Sequence, residues 1–293
     1  MFGTVLRWQR TLDVSGRCNA NTRAQYRRTL FHFLSDVMAD PDWGGTRDPY
    51  EVTEDDCVAY IDAIDPKGGR RTMVIKTLRS FYGWLAERED AAGTPLIRRN
   101  PMCHIRPPKT KDGRDAPSLS PEELQHVLTC AEQVDPRARW ALQLQYATCC
   151  RAGSLVAVHP ADVEQTPNGP KLHFREAKND DPYTVVLGST AIEAVEELLG
   201  LLDYTPKRVK ERRPTLVGIG YSQYEAWVKR VELLSGVELR SHLLRHTAIT
   251  RLAEDPDVDV RTIMEFANWK DPTPFRRYAK ARDPRLRKAA EVL

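Results

Sequence analysis

Residues 241–254 read SHLLRHTAITRLAE. Past its first turn this is an ordinary amphipathic helix, yet that turn gathers His242, Arg245 and His246. His242 and Arg245 stand three apart and so share one helix face. A packed core has no use for such a group, and a merely solvated face does not need it. A helix N-terminus that carries both is suited to an anion, because the helix dipole adds positive potential there. Which anion depends on the polar groups elsewhere in the chain.

The bulk properties narrow the choice. A chain of 293 residues is long enough for about two domains. With 41% hydrophobic and 29% charged residues, it has the composition of a packed globular protein. No apolar run reaches the roughly 18 residues of a membrane span. The N-terminal MFGTVLRWQRTLDV lacks an apolar signal region with a small-residue cleavage site. The expectation is a cytoplasmic protein with no membrane partner. Cys18, Cys57, Cys103, Cys130, Cys149 and Cys150 are scattered, with no C-x-x-C pair and no zinc-like Cys/His spacing. They suit a reducing compartment, and neither a metal nor a cofactor is expected.

The net charge of +3 says little about partners, but its arrangement says more. Cations cluster at Arg23/Arg27/Arg28, at Arg70/Arg71/Lys76/Arg79, and at Lys207/Arg208/Lys210/Arg212/Arg213. Clusters among so many anions suggest one basic face, with Arg23, Arg27, Arg70, Arg71, Lys76, Lys207 and Arg208 as candidate DNA-binding residues. The plainer reading of any one cluster is a solvated helix face.

Apolar spacing predicts helices over 22–38 (Tyr26, Leu30, Phe33, Leu34, Val37) and 70–88 (Val74, Leu78, Phe81, Leu85). A third spans 53–64, opened by Thr53 as N-cap with Glu54, Asp55 and Asp56 in its first turn. The first hundred residues therefore read as a helical bundle. Residues 100–124 then bring Pro101, Pro107, Pro108, Gly113 and Pro117 among charges, the composition of a linker. Ser120-Pro121-Glu122-Glu123 closes it as a capping box with proline at the first helical position. The domains are placed at 1–107 and 119–293, with 108–118 between. In the second, helices are expected at 121–132 and 137–148. Two strand-like runs follow, KLHFREA (171–177) and PYTVVLG (182–188), with Lys178-Asn179-Asp180-Asp181 as a hairpin turn. Beyond 189 everything looks helical, with Ile192, Val195 and Leu199 as one apolar stripe.

The polar groups of this second part suit one chemistry. Arg151 follows a helix, Lys178 sits at the hairpin turn, and Trp269 and Tyr278 lie near the end. Charge grows on the non-bridging oxygens of a phosphodiester during phosphoryl transfer, and arginine forks match those oxygens. A tyrosine can attack and hold the phosphoryl group covalently, splitting one hard step into two. Its ordinary pKa is near 10, so nearby cations or a neutral histidine must help remove its proton. A lysine can supply a proton to the leaving oxygen. Taken singly, each residue has a bland structural reading: an ion-pair arginine, a turn lysine, a core tryptophan, a surface tyrosine.

In their order and spacing, these residues resemble the tyrosine recombinases, the family of phage integrases, Xer proteins and Cre. Thr148-Cys149-Cys150-Arg151 is similar to that family's T-G-x-R box, and Ser241-His242-Leu243-Leu244-Arg245-His246 to its H-x-L-R-H box. Phe266-Ala267-Asn268-Trp269 falls where most members have L-L-G-H, and Tyr278 stands at the nucleophile position in an R-Y-A pattern. The T-x-x-x-Y-x-x-x-L pattern of Thr22, Tyr26 and Leu30 resembles the family's core-binding bundle, so the resemblance spans the whole chain.

The resemblance implies a mainly α, two-domain architecture with a small antiparallel hairpin or sheet. It implies Arg151, Lys178, His242, Arg245, Trp269 and Tyr278 as catalytic residues, with His246 mostly structural. It implies a site-specific DNA recombinase, an integrase or a Xer-like resolvase, acting through a 3′-phosphotyrosyl link and a Holliday junction. Its partners would be double-stranded DNA with paired sites and three further copies of the chain, each C-terminal tail (Leu286 to Leu293) docking on a neighbour. The short N-terminal lead leaves little room for an extra arm-binding domain. Three departures stand out: Ser154 where an acid is usual, and Cys149 and Asn268 where glycine is usual. The alternatives are a catalytically silent DNA-binding regulator on the same fold and a type IB topoisomerase-like relaxing enzyme.

Overall fold

The structure, a computed structural model, describes residues 2–15, 18, 20–39, 49–64, 69–107, 118–175, 182–203, 214–275, 278 and 291. The chain divides into two compact units, residues 1–110 and 111–293.

The first unit is helical: α1 (Phe2–Val14), α2 (Ala20–Ala39), α3 (Glu54–Asp62) and α4 (Gly69–Ala86). Thr53 caps α3, as its sequence position predicts, and Asp56 returns the bond to make a reciprocal capping box. Val74, Leu78, Phe81 and Leu85 of α4 are all buried, and meet Leu30, Phe33 and Leu34 of α2 in one core. Helix α1 was not foreseen. It closes this core with Val5 and Trp8, whose indole stacks on Tyr26 and meets Phe81 edge-on.

The second unit opens with α5 (Pro121–Glu132), α6 (Pro136–Ala147) and the six-residue α7 (Ala152–Ala157). Ser120 and Glu123 form the capping box read from the sequence. A three-stranded antiparallel sheet follows in the order β1-β2-β3: β1 (Val163–Glu164), β2 (Lys171–Phe174) and β3 (Tyr183–Val186). The hairpin pairs Leu172 with Val185 and Phe174 with Tyr183; β1 is an addition to the expected pair. Helices α8 (Ser189–Gly200), α9 (Tyr221–Ser235), α10 (Ser241–Glu254) and α11 (Val260–Phe266) complete the unit.

Two details depart from the sequence reading. Helix α8 buries Ala191, Ala194, Val195 and Leu198, while Leu199 is exposed, so its core face is one residue out of phase with the predicted stripe. The alanines, small enough for close packing on α6, hide the true face from a count of large residues. Nor is everything after 189 helical: Thr215 to Ile219 run as buried, irregular chain, with the Leu216 N–H donating to the Val158 carbonyl. Gly218 there takes φ of +74°, which a helix cannot include.

Candidate active site

Helix α10 supplies the centre of the site. Leu243, Leu244, Thr247, Ala248 and Ile249 bury one side of it, which turns His242 outward and leaves Arg245 inside at 3% exposure. The Arg245 guanidinium donates to the carbonyls of Cys149 and Ala267. Its partners among the described residues are thus neutral backbone oxygens. Burial, and then the adjacent Arg151 charge, pulls the Arg245 pKa down from its ordinary value. Two guanidinium groups crowded without a described carboxylate are unfavourable until an anion lies between them. That is how a phosphate site should be charged.

The two carbonyls are aimed by unusual backbone. Cys149 and Asn268 adopt φ of 52° and 47°, the left-handed conformation that favours glycine. These are the two positions where glycine was the expected residue, so both turns keep their shape despite the side chains. Each turn also ends on a candidate catalytic residue or leads into one. Arg151 is the half-buried N-cap of α7, two residues after Cys149, and Trp269 follows Asn268 directly.

Trp269 lies over the Arg245 guanidinium, 5.9 Å from its centroid to the guanidinium carbon. Its ring is also 5.9 Å from that of Tyr278, which is buried at 5% exposure among Cys149, Ala248, Ile249 and Ala267. The Tyr278 hydroxyl shares a hydrogen bond with Nδ1 of His246. His246 in turn meets His242 edge-on, their rings 5.1 Å apart. The structure therefore gathers Arg151, His242, Arg245, Trp269 and Tyr278 into one region and adds His246, for which the resemblance implies a mostly structural role. The available signal was its place one turn after His242, on the same face. Lys178 lies outside the described residues.

Ser154, one turn into α7 from Arg151, is buried, and so is the hydroxyl of Tyr183 on β3 beside it. Burial pushes the Tyr183 phenol well above its ordinary value, against the opposing pull of Arg245 and Arg151. Neutral hydroxyls thus stand near the arginines where an acid was the expected neighbour, and Tyr183 is a second residue the sequence reading missed.

The candidate DNA-binding cations divide into two kinds. Arg23 pairs with Asp13 at 2.5 Å and Arg71 with Asp62 at 2.5 Å, so both are locally neutralised. Arg27, Arg70 and Lys76 are exposed on α2 and α4. Arg79 is structural: it donates to the carbonyls of Met102 and Ile105 at 3.2 and 2.8 Å. Lys207 and Arg208 lie outside the described residues. One cluster among the described residues has metal-ligand types, Glu54, Cys103 and His104, but the Arg99 guanidinium sits 2.7 Å from the His104 Nε2 and opposes a cation there.

Comparison with known proteins agrees with this geometry. The profile of the phage integrase family matches residues 117–285. The tyrosine recombinase XerC of Staphylococcus carnosus is 26% identical over 245 residues, covering 78% of this chain and 77% of its own. The tyrosine recombinase XerD of Bifidobacterium longum is 26% identical over 259 residues, covering 81% of each. Among solved structures, the lambda integrase(75-356) dimer bound to a COC′ core site superposes with a TM-score of 0.73 at 16% identity, over 97% of this chain and 96% of that one. The XerH site-specific recombinase bound to difH substrate gives 0.68 at 13%, over 98% and 84%. The chain belongs to the phage integrase family, the tyrosine recombinases.

Proposed function

We propose that this site-specific recombinase cuts and rejoins DNA through Tyr278. The phenol oxygen attacks a phosphodiester, giving a 3′-phosphotyrosyl link and a free 5′-hydroxyl. Arg151, Arg245, His242 and Trp269 stabilise the charge that builds on the phosphoryl oxygens, the indole as a pure donor. Lys178 protonates the leaving 5′-oxygen. A 5′-hydroxyl from another strand reverses the step. The bond energy is retained in the protein link, so no nucleotide cofactor is required.

The observation that carries this reading is the Arg245 side chain: buried, fixed by two backbone carbonyls, next to Arg151, and covered by the indole that adjoins Tyr278. A structural arginine at that depth would be paired with an acid. The relatives named above are recombinases, and one lambda integrase structure is a tetramer bound to a Holliday junction. By that likeness we assign this chain to double-stranded DNA with paired sites, acting as a tetramer in the cytoplasm, with residues 286–293 docking on a neighbouring copy.

The test is covalent trapping. A nicked suicide duplex, selected from a random pool for tight binding, is mixed with the chain and denatured. A protein–DNA adduct that disappears in Tyr278→Phe is the expected result. Tight binding without an adduct would overturn the reading.

A further inference from the structure

We propose that His246 is the base that takes the Tyr278 proton during cleavage. The inference rests on the assignment of Tyr278 as nucleophile and adds a catalytic residue to it. Three observations carry it. Nδ1 of His246 already shares a hydrogen bond with the reacting oxygen of Tyr278. The tyrosine is buried at 5% exposure, so bulk water is poorly placed to accept its proton. The nearby guanidinium groups, Arg245 and Arg151, can stabilise a phenolate but cannot receive a proton, since arginine stays charged.

The position of His246 on α10 explains why it serves this end of the reaction. His242, in the first turn, is exposed and stands three residues before Arg245, on the side of the helix assigned above to the phosphate. His246 lies one turn deeper, half-buried, with its ring edge-on to His242 and 5.9 Å from the Tyr278 ring. The outer histidine therefore meets the phosphoryl oxygens, and the inner one meets the nucleophile.

The step balances. The Tyr278 hydroxyl donates to an unprotonated His246 Nδ1, whose proton resides on Nε2. As the Oη–P bond forms, the phenol proton passes to Nδ1 and His246 becomes a cation. The P–O5′ bond breaks, and the 5′-oxygen takes a proton from Lys178. In rejoining, the incoming 5′-hydroxyl gives its proton back to the neutral Lys178 as its oxygen bonds to phosphorus, the Oη–P bond breaks, and the departing Oη recovers its proton from His246. No oxidant, reductant or further reactant enters.

The experiment is single-turnover cleavage of the suicide duplex by the full chain. His246→Asn is the informative variant, because its Oδ1 replaces Nδ1 as an acceptor but cannot take up a proton. It should bind DNA as the unaltered chain does and cleave it on the order of 10²-fold more slowly. Replacing Tyr278 by a ring-fluorinated tyrosine, whose phenol ionises more readily, should restore most of that rate in the His246→Asn background. A positioning role would not be restored by a more acidic phenol. Cleavage by His246→Asn within a few-fold of the unaltered rate overturns the proposal, as does full DNA affinity with no recovery from the fluorinated residue. If Tyr278→Phe still forms the adduct, the nucleophile assignment has failed, and the base assigned to it falls with it.

Discussion

Cys149 and Asn268 hold the arginine site together from backbone that neither side chain prefers. A non-glycine residue in the left-handed region costs on the order of 1 kcal/mol, and asparagine tolerates it best. Asn268→Gly should therefore leave stability unchanged or raise it slightly, while Asn268→Ala should lower it by about 1 kcal/mol; urea denaturation of the two variants checks this. Cys149 is different because its thiol is buried under Tyr278 and Ala248, where Gly would also remove packing. Burial pushes that thiol from 9.0 to about 12, and its neighbour Cys150 from 9.0 to about 11. Both stay protonated at pH 8, so iodoacetamide on the native chain should label the half-exposed Cys18 and Cys103 and spare these two. The sign of the linkage follows. Folding holds these protons after the unfolded thiols have lost theirs, so this contribution to stability is complete below pH 9 and is lost as pH climbs toward 12. The two positions were legible in the sequence as substituted glycines. That the turns would keep their left-handed shape was not, because a one-letter code carries no dihedral angle.

Elements are anchored by groups whose partners are distant in the chain. Asp135 caps α6 and also holds the buried Arg137 through paired contacts of 2.9 and 3.0 Å. Arg137 reaches on to the Val217 carbonyl at 3.1 Å and lies over Trp227 of α9. One ion pair thus ties α6 to the irregular 215–219 segment and to α9. Asp135→Ala would leave Arg137 buried without this carboxylate and should cost about 3–5 kcal/mol, read as a lower denaturation midpoint. Gly218→Ala should also destabilise, since its φ is +74° and a Cβ would stand 2.9 Å from the Arg137 Nη1. The N-cap at Thr53 and the capping box at Ser120 were readable because their partners lie three residues away. The role of Arg137 was not, because its carbonyl partner lies eighty positions on. Surface helices answer to the same reasoning. Arg27 and Lys76 offer exposed charge, whereas Arg23 and Arg71 already face aspartates. Arg27→Ala and Lys76→Ala should each weaken DNA binding and reduce the slope of log K against log salt by about one. Arg23→Ala and Arg71→Ala should change that slope less.

At the scale of the molecule, the described residues build three apolar clusters, one in the first unit and two in the second, and every described candidate catalytic residue lies in the second unit. The order of the boxes around Arg151, Arg245 and Tyr278 was enough to read that arrangement from the sequence, because the chemistry fixes residue types and the fold fixes their order. What the order could not convey is which histidine touches the nucleophile, since that depends on helix phase and on how deeply Tyr278 is packed. Chemistry alone also leaves open what drives strand exchange. Each cleavage conserves a phosphodiester's energy in the tyrosyl link, so cutting and rejoining are nearly balanced. Net exchange must then be governed by assembly, which brings two sites together and so obeys mass action. On our reading, the amphipathic run from Leu286 to Leu293 supplies part of that assembly by docking on a neighbouring copy. Deleting residues 284–293 should therefore separate two activities. Adduct formation on a single suicide duplex should persist, since Tyr278 and its surroundings are retained. The two-site complex, followed by light scattering on DNA carrying paired sites, should become weaker by at least tenfold in the protein concentration it requires, about 1.4 kcal/mol of lost association. Unchanged assembly by the truncated chain would remove tail exchange from the account, while leaving the chemistry at Tyr278 as it stands.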